Sequence, residues 1–105
     1  MGPPVHDLPA ELLGQLLALI DQLREESADY LEEPGDQQRW YNRGYANGMV
    51  LALRSLGQDA ALGGRLPDDA AQIQPHGPMP WGRAYRHGEE TGRRETHEIT
   101  GTPEA

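Results

Sequence analysis

The sequence predicts an all-α fold: an antiparallel helical hairpin over residues 8–57, a short third helix within 80–99, and a bundle completed by oligomerisation. Three observations carry this expectation. Apolar residues recur at helical spacing in two separate stretches. A Pro-Gly stop followed by an Asp cap divides them. The two predicted helices also carry broader apolar faces than an isolated hairpin can hide.

The first helix is expected over about 8–32, after a Pro-rich, flexible lead at 1–7, with Asp7 as its cap and Pro9 tolerated in the first turn. Leu12, Leu16, Leu19 and Leu23 follow helical spacing, and Leu13, Leu17 and Ile20 widen the stripe. From Arg24 to Glu33 the chain turns acidic, and "EPGD" at 33–36 ends the helix and supplies Asp36 as the next cap. The second helix runs from about Gln37 to Leu56, with Gly57 placed for a C-terminal cap.

Gly44 and Gly48 lie inside that second helix, where each costs about 1 kcal/mol against alanine. With Ala52 they form a small-xxx-small-xxx-small groove that lets another helix approach the backbone, a pattern best known from membrane helices. The glycines therefore read as packing sites. Together with Leu13, Leu17, Ile20 and Leu51, which an isolated hairpin leaves wet, Gly44, Gly48 and Ala52 form the expected interaction surface. The third helix, a second copy of the chain or a protein partner is the expected occupant, with a homodimer forming a four-helix bundle as the leading solution.

Residues 58–79 read as a linker, in which "LPDDAAQI" allows one helical turn capped at Asp68. In the third helix Trp81, Tyr85, Gly88, Gly92 and Ile99 fall near one face, and the tail at 100–105 reads as disordered. Arg43-Gly-Tyr45-x-x-Gly48 and Arg83-Ala-Tyr85-x-x-Gly88 share one short pattern, a faint sign of internal duplication.

Charge is segregated along the chain. The net formal charge is −8, with residues 1–36 at −8 and residues 37–56 at +3. Such an acidic balance argues against direct nucleic-acid binding. A short connection makes the two helices antiparallel, so the acidic end of the first faces Arg39 and Arg43 at the start of the second. All nine basic residues are Arg, and there is no Phe and no Cys. That usage suggests a GC-rich coding sequence, hence a high-GC bacterium or one of its phages or mobile elements. Without cysteine there is no disulfide framework, and no secretory leader or membrane span is recognisable. A cytoplasmic protein is expected.

Little in the sequence points to catalysis. The acids occur as runs, "REES", "LEEPGD", "PDDA" and "GEET", which read as solvated faces rather than paired catalytic carboxylates. Neither Ser27 nor Ser55 sits in a nucleophile elbow, and "ALGGRL" lacks the lysine of a phosphate loop. His87 and His97 are ten residues apart, off a single helix face, so no metal site is expected. No catalytic residue and no cofactor is assigned. Two aromatic-arginine clusters are the candidates for a ligand surface: Arg39, Trp40, Arg43 and Tyr45, and Trp81, Arg83 and Tyr85. Arginine forks grip phosphates and aromatic rings stack on bases, but the same residues read first as core and helix-junction packing, with the arginines answering the acids of the first helix.

The order of an apolar helix, an acidic turn, Asp36, Arg39-Trp40 and then "GMVLALRS" resembles small phage-encoded helical-hairpin proteins that sequester cyclic-nucleotide or ADP-ribose-type immune signals. Asp36, Arg39, Trp40, Gly48, Met49, Ala52, Leu53 and Arg54 carry the likeness. The Trp-to-Gly spacing is shorter here and the closing run is shifted by one position. The resemblance implies a counter-defence role with a small nucleotide ligand. The residues themselves favour a small, acidic, non-catalytic interaction or assembly protein, an accessory protein of a phage or mobile element. The alternative is a counter-defence protein, either a nucleotide sponge or an acidic mimic that inhibits a host factor.

Overall fold

A computed structural model describes residues 6–104, and the fold is all-α, with no strand among those residues. Five α-helices follow one another: α1 (Ala10–Glu26), α2 (Gln37–Ser55), α3 (Asp59–Leu62), α4 (Ala70–Ile73) and α5 (Pro80–Thr100). Helix α2 lies at the centre, with α1 on one side and α5 on the other.

Helices α1 and α2 form the expected antiparallel hairpin. The His6 N–H donates to the Leu56 carbonyl at 3.0 Å, which sets the start of the described chain beside the end of α2. Leu16 and Ile20 of α1 meet Met49, Val50, Leu53 and Leu56, and Leu62 of α3 closes the cluster. Asp36 caps α2 as its position predicts, its carboxylate accepting from the Arg39 N–H at 3.0 Å. Gly57 ends the helix with φ of 76°. Its N–H reaches the Arg54 carbonyl and the Gln58 N–H reaches that of Leu53. These two bonds are a Schellman closure.

Several expected boundaries are corrected. Helix α1 begins at Ala10 with no side-chain cap from Asp7, because Pro9 holds the extended backbone at the cap. It ends at Glu26, where Ser27 Oγ turns back to the Leu23 carbonyl at 2.6 Å. A separate 3-10 turn, Tyr30–Glu32, then places Tyr30 in the core. The segment 58–79, expected as a linker, carries α3, α4 and the 3-10 turn Gln74–His76. Asp69, not Asp68, caps α4. Helix α5 continues to Thr100, and the following tail folds back, the Thr102 N–H donating to the His97 carbonyl at 2.9 Å. Of the N-terminal lead, residues 1–5 lie outside the described residues.

The glycines of α2 are packing sites, and their partner is α5. A Cβ on Gly44 would stand 2.8 Å from the Tyr85 carbonyl carbon, and one on Gly48 would stand 2.8 Å from the Arg93 nitrogen. The arrangement is reciprocal: a Cβ on Gly88 would meet the Tyr45 nitrogen at 2.9 Å, and one on Gly92 the Tyr45 carbonyl carbon at 2.9 Å. Because contacts on α5 advance in the same sense as those on α2, the two helices run parallel. A parallel pair needs a crossover, and residues 57–79 supply it by running back along α2.

This corrects the expected surplus of apolar surface. Ile20, Leu53 and Ala52 are fully buried within one chain, Gly44 and Gly48 are covered by α5, and Leu13, Leu17 and Leu51 are half-buried.

Candidate binding cleft above a buried Arg43–Asp68 pair

The returning crossover crosses α2 at Asp68, whose carboxylate is only 3% exposed. A charge so buried demands partners, and the surrounding helices provide them. Arg43 grips it with a fork, Nε and Nη2 both reaching Oδ1, at 3.0 and 2.7 Å, and Nε also reaching Oδ2 at 3.1 Å. The Tyr85 hydroxyl donates to Oδ2 at 2.7 Å. Arg24 of α1 stands 4.0 Å away and donates to the Leu66 carbonyl. Meanwhile the Asp68 N–H donates to Asn47 Oδ1 at 2.8 Å, and the Asn47 amide donates to Glu89 at 2.9 Å. One aspartate thus ties α1, α2, α5 and the crossover together.

The electrostatics fit a structural lock. Burial, reinforced by the charge of Asp68, pushes the Tyr85 phenol well above its ordinary value. Burial works against the Arg43 charge, yet the hydrogen bonds to Asp68 and the Asp68 charge together outweigh it and raise the Arg43 pKa. With its proton held and its acceptor saturated, the trio offers neither a free base nor an acid ready to release a proton.

Aromatic rings close the inner side. Tyr30 meets Trp40 edge-on at 4.9 Å and stacks with Tyr85 at 6.2 Å, and the Arg43 guanidinium lies 5.0 Å over the Tyr30 ring. The structure therefore gathers Trp40, Arg43 and Tyr85 of the sequence-predicted ligand residues into one core. Trp40 is fully buried, its indole N–H donating to the Glu33 carbonyl and its ring 5.0 Å from His76. Trp81 sits at the margin and donates to His76 Nδ1 at 3.0 Å. Elsewhere lie Arg39, paired with Asp29 and Asp36, and Tyr45, whose hydroxyl donates to Glu95. Arg83 is exposed and lines a shallow depression of about 350 Å³ with Tyr41 and His87.

Beside the lock a cleft of about 280 Å³ opens between α2, α4 and α5. Asp68 and Tyr85 border it, with Asn47 and Glu89 at one side, Ala70, Ile73 and Gln74 opposite, and Arg86 at the rim. Sequence reasoning missed Asp68, Asn47 and Glu89. The one available signal was the doubled acid "DD" after Pro67, where a single cap needs one carboxylate.

Among the described residues there is no cluster of three or more His, Asp or Glu placed to hold a metal ion, and no helix long and apolar enough to cross a membrane. The fold and site define a small all-α protein built on a glycine-packed parallel helix pair. No protein-family model, curated protein or solved structure matches the chain.

Proposed function

We propose that this is a non-catalytic protein that acts by binding a basic surface on another protein. The observation that carries the reading is the acidic surface at the end of α1 and in the turn to α2, which Arg39 compensates only in part. Seven of the arginines are engaged in ion pairs with Asp or Glu. Glu25, Glu26, Glu32 and Glu33 are exposed and make no ion pair among the described residues, and Leu31 is exposed among them. A cluster of like charge around an apolar contact steers a cationic partner and then gives it a surface to cover. We place this activity in the cytoplasm of a bacterial or phage-infected cell, the setting that the residue usage suggests.

The acidic mimic that blocks a nucleic-acid-binding host factor is the second reading, favoured by the same free carboxylates. A nucleotide sponge draws less support, since Trp40, the ring that would stack on a base, has no open face. Affinity capture from a bacterial lysate, washed at rising salt, tests the proposal. The wild-type chain is expected to retain a basic protein that high salt releases, and the Glu25, Glu26, Glu32 and Glu33→Gln variant to retain none. Equal retention by both overturns the reading. Light scattering on the same samples decides whether the chain also pairs with itself.

A further inference from the structure

We infer that the cleft between α2, α4 and α5 binds a small zwitterion of amino-acid size, with an ammonium group at Glu89 and a carboxylate at Arg86. This goes beyond the acidic turn and rests on other residues.

Three features point there. First, of the three charges that line the cleft, Asp68 is saturated by its own partners while Glu89 and Arg86 are incompletely used. Glu89 gives one carboxylate oxygen to Asn47 at 2.9 Å, while its other oxygen is ion-paired with Arg93 at 3.6 Å, too long for a hydrogen bond. That oxygen remains an acceptor for an incoming N–H. Arg86 makes no ion pair among the described residues, although Glu89 and Glu90 lie within one turn of it. Second, both charges line the cleft, and Glu89 is held in place. The Asn47 amide is fixed between the Asp68 N–H and Glu89, so it holds that carboxylate in place. The Arg86 guanidinium lies beside Gly77, its Nη2 2.9 Å from where a Cβ would stand, at the exposed rim of the cleft. Third, three residues of helix separate Arg86 from Glu89, about 4.5 Å of rise. A ligand carrying both charges on neighbouring atoms can span that offset.

Size sets the class. At about 280 Å³ the cleft falls just below the usual range of ligand sites, about 300 to 1,000 Å³. An amino acid fits, whereas a dinucleotide does not. Ala70 and Ile73 line the wall opposite the charges, which suits an aliphatic side chain on the ligand.

The test is a titration of the full-length protein with L-leucine, followed residue by residue by NMR. Saturable shifts are expected at the amides of residues 70–74 and 86–89 and at the Asn47 side chain. Leucinamide, which lacks the carboxylate, and N-acetyl-leucine, which lacks the ammonium group, should each bind about tenfold more weakly. In Arg86→Gln, leucine and leucinamide should bind alike; in Glu89→Gln, leucine and N-acetyl-leucine should bind alike. Arg86 is exposed, and the glutamine amide keeps an acceptor for Asn47, so both variants should retain the wild-type circular dichroism spectrum. The inference is overturned if no saturable shift occurs, or if either analogue binds as tightly as leucine. The four-glutamate variant of the acidic turn should bind leucine normally, so failure here and failure of the partner proposal are told apart.

Discussion

On one side of α2, Met49, Val50 and Leu53 meet Leu16 and Ile20 of α1 through branched and flexible side chains; on the other, Gly44 and Gly48 press on the Tyr85, Glu89 and Arg93 backbone of α5, and Gly88 and Gly92 on the Tyr41 and Tyr45 backbone of α2. The first contact removes apolar area from water, about 1.5–3 kcal/mol for each fully buried aliphatic side chain. The second buries no side chain at the glycines, and each glycine lowers helix propensity by about 1 kcal/mol. What it gains is close approach, which puts Asn47 within reach of Glu89, Tyr45 within reach of Glu95, and Tyr85 within reach of Asp68. The apolar side supplies stability and tolerates adjustment. The glycine side fixes distance and register, and it tolerates none.

The largest effect should come from adding atoms to the glycine side. Gly44→Ala and Gly48→Ala each force a methyl group into α5 backbone, which cannot swing away as a side chain can. Each should cost about 3 kcal/mol or more in urea unfolding, and Gly48→Leu should detach α5 altogether. Gly14→Ala is the control, because that glycine lies exposed in α1 with nothing within 4 Å of an added Cβ. There the same substitution should stabilise by about 0.5–1 kcal/mol. Should Gly44→Ala and Gly14→Ala shift the midpoint in the same direction, the parallel docking of α2 on α5 is refuted.

On the apolar side the response should depend on volume. Leu53→Ala leaves a cavity at a fully buried position and should cost about 2–5 kcal/mol. Leu53→Met keeps the volume and should cost less than about 1.5 kcal/mol. Denaturant midpoints for the pair measure the difference. If Leu53→Met proves as damaging as Leu53→Ala, this face is as rigid as the other and the contrast disappears.

The parts of the fold that local chemistry determines were legible. Asp36 caps, Gly57 closes, and the Leu stripe of α1 buries Leu16 and Ile20. The close approach at Gly44 and Gly48 was legible too, but not the identity of what approaches, since a small-residue groove specifies a distance and not a partner. Gly88 and Gly92 repeat the four-residue spacing of Gly44 and Gly48, and the structure pairs the two sets 44 residues apart. The sequence likeness of Arg43-Gly-Tyr45 to Arg83-Ala-Tyr85 aligns the helices one turn out of that register. Helices α3 and α4 were illegible for a different reason: at four residues each they fall below any length that forms alone. They exist because Leu62 enters the core and Asp68 enters the lock. The cleft depends on that same crossover, so Asn47 and Glu89 gave no local sign of their meeting.

A smaller effect than either glycine overpacking or the Leu53 cavity lies where the glycine side meets the lock. Tyr85 keeps its proton in the folded protein because burial and the Asp68 charge raise its pKa above 10.0, while the unfolded chain ionises near that value. Protons are then held more tightly by the folded state, so this contribution is full below pH 10 and declines as pH rises further. Tyr30 and Tyr45 are shifted upward as well, by burial first, and they act in the same sense. Tyr85→Phe should cost about 1–2 kcal/mol at neutral pH through the lost hydrogen bond. Above pH 10 its deficit should shrink, because the variant has no phenol at that position to ionise on unfolding. Unfolding curves for both proteins between pH 7 and pH 11 measure the two slopes. Parallel slopes would mean that water reaches the Tyr85 hydroxyl, and that α2 and α5 stand further apart at this point than their glycines allow.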